Sequence, residues 1–111
     1  MRDNRMLSVP FLLLLALALA GCSTPYTAIC DKEQECSGGN DMDVAACVAA
    51  GDTLGDVAAA YGCAEQHSVY AACLEAKGSC ENGKFRASCD DERDSLGKCQ
   101  DAASVLDGKP L

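Results

Sequence analysis

The residues best equipped for chemistry in this chain are its cysteines, nine in 111 positions, accompanied by a single histidine. Thiols at this density serve disulfide bonding, metal ligation or thiol–disulfide exchange. Structural zinc sites want close pairs of the form C-x-x-C, and no two cysteines here stand at that spacing. Cys63, His67, Tyr70 and Cys73 do fall on one helical face, so a Cys-His metal cluster can be drawn; the plainer reading of His67 is a packed or exposed side chain. Redox motifs also use C-x-x-C at a helix N-terminus, and Cys63 and Cys89 stand near expected helix starts without such a resolving partner. One histidine and no G-x-S-x-G leave nothing to build a hydrolase from. Asp90, Asp91, Glu92 and Asp94 read as acid enrichment at a helix start. Asn40, Asp41 and Asp43 hint at calcium but lack the glycine and closing glutamate of an EF-hand loop. The expectation is a non-enzymatic chain with no catalytic residue, no metal and no cofactor.

The ninth cysteine has a different context. Arg2 and Arg5 precede an apolar run from Leu7 to Ala20, closed by Gly21 and Cys22. A short apolar stretch behind a basic start and before small residues is the pattern of a signal peptide, and it is shorter than the roughly 20 residues that span a bilayer. Leu19-Ala20-Gly21-Cys22 resembles the lipobox of bacterial lipoprotein precursors. The resemblance implies cleavage before Cys22, a diacylglyceryl group on its sulfur, and a further palmitate-type acyl chain on its nitrogen. Two or three chains anchor stably where one binds reversibly. Ser23, where enterobacterial relatives retained at the inner membrane carry Asp, implies the outer membrane. Residues 1–21 are then the signal peptide and residues 22–40 an anchor with a flexible tether.

Setting Cys22 aside leaves Cys30, Cys36, Cys47, Cys63, Cys73, Cys80, Cys89 and Cys99, an even number suited to four disulfides in an oxidising compartment. Eight cysteines allow 105 pairings. Bridges are physically needed, because the remaining chain of about 90 residues has no Trp, few aromatics and much Ala, and small scaffolds of this kind gain little net stability from burial alone. Its charge, −8 overall and about −9 without residues 1–21, opposes nucleic acid as a partner.

Helices must position these cysteines. Ser37-Gly38-Gly39-Asn40 is a loop, after which Asp41 or Asp43 can cap a helix beginning near Met42. Its stripe is Val44, Cys47, Val48, Gly51, Leu54, Ala58 and Tyr61, with Gly62 as its cap; Gly51 and Gly55 weaken the middle, which leaves open whether it is one helix or two. A second helix runs from about Cys63 to Lys77 and ends at Gly78. Glu81-Asn82-Gly83-Lys84 is a turn, and Ser88 with Asp91 suggests a capping box opening a third helix, closed by Gly108 and Pro110. No stretch alternates with period two, so little or no sheet is expected.

Cys63 and Cys73 are ten residues apart, as are Cys89 and Cys99. Ten residues advance a helix about 15 Å and return it close to the same face, so two antiparallel helices bring Cys63 to Cys99 and Cys73 to Cys89. This part of the chain resembles the twin CX9C hairpins of mitochondrial intermembrane-space proteins, in geometry and not in descent. It lacks the adjacent Cys-Cys pair of the copper-carrying members, so copper delivery is not implied. Cys47 can then reach Cys80, leaving Cys30 with Cys36; a cross-pairing of Cys36 with Cys80 or with another helix stays open. The whole also resembles the small cysteine-rich lipoproteins of predatory, myxobacterium-like bacteria. The reading is an all-α, disulfide-rich, three-helix domain over residues 41–108. It would be held to the cell envelope by lipid, serving a structural or protein-interaction role toward an unknown envelope partner. The alternative is a periplasmic thiol-redox or metal-handling protein.

Overall fold

A computed structural model describes residues 24–105. The expected signal peptide, Cys22 and the residues expected to close the last helix, Gly108 and Pro110, lie outside the described residues. The described chain is mostly helical: α1 (Pro25–Ser37), α2 (Asp41–Ala60), α3 (Ala64–Lys77), β1 (Ser79–Glu81), β2 (Lys84–Arg86) and α4 (Asp90–Ala103).

Four helices stand where three were expected, because residues read as tether form α1. Thr24-Pro25 starts it: proline at the first helical position has the right φ and lacks only an N–H that would go unpaired. Tyr26, Ile29 and Cys30 follow at the spacing of one helical face and are all buried. They form the core with Ala71, flanked by partly buried Val44, Cys47, Val48, Leu74 and Phe85. A segment that supplies three of four core side chains is no tether.

The α2 cap is Asn40, one residue before Asp41 and three before Asp43, the two aspartates proposed for it. Its Oδ1 accepts from the amides of Met42 (2.9 Å) and Asp43 (3.2 Å), and Asp43 Oδ2 accepts from the Asn40 amide at 2.8 Å. This reciprocal box occupies two of the three groups that had hinted at calcium. The helix runs unbroken through Gly51 and Gly55. It ends in a Schellman motif, with Cys63 N–H donating to the Ala58 carbonyl (2.8 Å), Gly62 N–H donating to the Ala59 carbonyl (2.9 Å), and Gly62 at φ +73°.

The expected turn at Glu81–Lys84 closes a small hairpin, the little sheet among the described residues. Cys80 pairs with Phe85 and Glu81 with Lys84, and the two-residue loop has Asn82 at φ 52° and Gly83 at φ 70°. Positive φ at both positions is the type I′ geometry that Asn-Gly favours. Helix α4 begins at Asp90 behind Cys89, whose side chain makes no capping bond, so the Ser88–Asp91 box does not form. It closes at Ala103.

Helix order follows from the crossings. Cys30 bonds Cys47, and Tyr26 lies over Gly51, so four residues back along α1 match four forward along α2: the pair is antiparallel. His67 of α3 faces Gly55 of α2. Helices α3 and α4 are antiparallel through Cys63–Cys99 and Cys73–Cys89.

Candidate functional site

All eight cysteines among the described residues are in disulfides: Cys30–Cys47, Cys36–Cys80, Cys63–Cys99 and Cys73–Cys89. The last two have the pairing that an antiparallel CX9C hairpin requires. The first two correct the expected Cys47–Cys80 and Cys30–Cys36. Once α1 is a helix, six residues separate Cys30 from Cys36 by about 9 Å along its axis, beyond the roughly 7 Å that a disulfide bridges. Cys30 therefore turns inward to Cys47, and Cys36, at the far end of α1, meets Cys80 on the hairpin, the cross-pairing that the sequence left open.

The drawn metal cluster is not assembled. Cys63 and Cys73 are bonded to other cysteines, and His67 is turned to Tyr26. The Glu92 carboxylate lies close to the Cys73 and Cys89 sulfurs, but those two sulfurs are joined to each other and offer no thiolate. Asp90, Asp91 and Glu92 sit in the first turn of α4, and Arg93 pairs with Asp90 at 2.8 Å in solvent. Such an exposed pair contributes at most about 1 kcal/mol.

The four bridges differ in exposure, and this sets their order of reduction. Cys63 is fully buried, Cys30 is 1% exposed, and Cys73 and Cys89 are both buried, whereas Cys80 is exposed and Cys36 half-buried. Exchange requires a thiolate to reach a sulfur. Limiting reductant followed by alkylation and peptide mapping should label Cys36 and Cys80 first. Earlier labelling of Cys73 or Cys89 would mean that the α3–α4 hairpin opens more readily than its burial implies.

The group that the sequence did not reveal is the Tyr26–His67 pair. The Tyr26 hydroxyl lies 2.9 Å from His67 Nε2, with both side chains buried at the crossing of α1, α2 and α3. The hydroxyl donates when the imidazole carries its proton on Nδ1. Gly51 makes room: a Cβ there would fall 2.2 Å from the Tyr26 ring, and one at Gly55 would fall 3.0 Å from His67 Cε1. The two glycines that seemed to weaken α2 are the seats of this pair. The only sequence signal was indirect, in that Thr24-Pro25 opens a helix with apolar residues at the second, fifth and sixth positions.

Burial, followed by the negative charge of Tyr70 and Asp52 nearby, raises the Tyr26 phenol above its ordinary value of 10.0. The raised group favours the folded state while it is neutral. That contribution is present below about pH 10 and is lost as the pH rises through the raised folded-state value. An alkaline phenolate titration of the native protein, compared with Tyr26→Phe, should place the missing tyrosine's absorbance step above pH 10. A step at or below that pH would show Tyr26 in contact with water.

No described helix is long and apolar enough to cross a membrane. No family model, curated protein or solved structure matches this chain.

Proposed function

We propose that the protein is a lipid-anchored component of the bacterial cell envelope, acting as a non-enzymatic structural or protein-interaction module. The observation that carries this reading is the pairing of the cysteines: the eight in the described domain are joined in four bridges, and the ninth, Cys22, follows Leu19-Ala20-Gly21. The thiol that no bridge claims therefore stands where the lipobox resemblance puts the lipid. The bridges serve stability, each worth about 2–4 kcal/mol in a domain with only eight buried hydrophobic residues among those described. An acidic surface keeps such a domain soluble.

The intact mass of detergent-extracted protein, alkylated without reduction, tests this. Cleavage before Cys22, added acyl chains and no alkylation are expected. Alkylated cysteines or a retained metal would instead favour the thiol-redox or metal-handling role.

A further inference from the structure

We infer that the anchored domain lies with α1 and α2 along the bilayer surface, with the outer side of α1 against the phospholipid headgroups. This rests on the lipid-anchor reading and adds to it an orientation and a membrane-facing surface.

The first observation is reach. Between Cys22 and the start of α1 at Pro25 stand only Ser23 and Thr24. Three residue steps span at most about 11 Å whatever their conformation. Nor is α1 a free arm that could swing away. Tyr26, Ile29 and Cys30 are core, Cys30 is bonded to α2, and Cys36 is bonded to the hairpin. The lipid is joined to the rigid body almost directly.

The second observation is the mismatch of α1 and α2. Tyr26, the second residue of α1, lies over Gly51, and α2 continues nine residues further to Ala60. Pro25, one residue earlier, lies level with Asp52, so α2 projects about 12 Å past the start of α1. The first turn of α3 and the end of α4 share this projecting end, since Cys63 bonds Cys99. It carries exposed Asp56, Glu65 and Asp101.

Two upright orientations then fail. With the projecting end down, a leash of at most about 11 Å cannot lift an overhang of about 12 Å clear of the headgroup layer, and three carboxylates would be driven into lipid. With that end up, the leash would have to run back along the whole of α1, about 20 Å for 13 residues. The domain must lie on its side.

The side nearest the anchor is the outer face of α1. Thr27, Ala28 and Asp31 are exposed there, and with Thr24, Pro25 and Glu75 of α3 they line an open hollow at the root of the leash. The outer face of α2 points the other way. Ala49 is exposed and lies roughly opposite Cys47 and Gly51, which face α1. Asp31 and Glu75 suit a zwitterionic surface better than an anionic one, which would repel them.

The test uses the acylated full-length mature protein in vesicles of phosphatidylethanolamine and phosphatidylcholine, with a photoreactive residue in place of Ala28 or of Ala49. Lipid adducts should be several-fold more abundant from position 28 than from position 49. Insertion of a long Gly-Ser segment between Ser23 and Thr24 should abolish that difference while flotation with the vesicles is unchanged. Equal adducts from both positions in the short-leashed protein, with the acylated mass and flotation intact, would overturn the orientation and leave the anchor standing. A chain that is neither acylated nor vesicle-bound would overturn both.

Discussion

Serine at Cys63, Cys73, Cys89 and Cys99 together is expected to free α4 from the rest of the molecule and unfold it. Helix α4 has no buried residue of its own and is packed on α3, to which the two bridges fasten it at both ends. A helix of 14 residues is marginal in water without tertiary support. Each bridge is worth about 2–4 kcal/mol. Cys63–Cys99 spans 36 residues and Cys73–Cys89 spans 16, a difference worth only about 0.7 kcal/mol in loop entropy. The two double variants should therefore lose similar amounts, and the quadruple variant should lose the helix. Amide hydrogen exchange is the check. Protection over residues 90–103 should vanish while that of α1 to α3 persists, since their own bridges Cys30–Cys47 and Cys36–Cys80 are untouched. Persistent protection in α4 would mean that its packing on α3 suffices without the bonds.

Gly51→Ala should destabilise a helix that propensity says it ought to improve. Alanine is preferred to glycine inside a helix by about 1 kcal/mol. Here, however, the new Cβ would meet the inner atoms of the Tyr26 ring, which cannot swing aside without leaving the core and breaking its bond to His67. Overpacking of this kind costs about 1–3 kcal/mol, to which the loss of the Tyr26–His67 bond is added. Gly97 of α4 is the control, because a Cβ there would meet nothing within 4 Å. Gly97→Ala should raise stability by up to about 1 kcal/mol. For a domain of this size, each kcal/mol moves the midpoint of thermal unfolding by about 4–8 °C, so the two variants should shift it in opposite directions. A stabilised Gly51→Ala would show that Tyr26 does not rest on α2.

The α3–α4 hairpin was legible in the sequence because its information is local and periodic: equal ten-residue spacings on two helices leave one economical pairing. The caps were nearly as legible, Gly62 directly and the α2 start with an error of one residue. Helix α1 was hidden by its neighbourhood. Polar residues just after an apparent lipid cysteine invite a tether reading, and only Thr24-Pro25 and the Tyr26, Ile29, Cys30 spacing argued otherwise. That one omission propagated, since Cys30 and Cys36 are free to pair only while the chain between them is flexible. The Tyr26–His67 pair was out of reach for a different reason. It depends on two glycines of α2 lying opposite residues 25 positions before and 12 positions after them, which no local pattern encodes.

The bridges also overlap along the chain. The loop from Cys30 to Cys47 runs into the one from Cys36 to Cys80, which in turn runs into the one from Cys63 to Cys99. Every peptide bond between Cys30 and Cys99 is therefore spanned by at least one disulfide. A protease that cuts once anywhere in that interval opens a backbone link without releasing a fragment, and the nicked chain remains one covalent body.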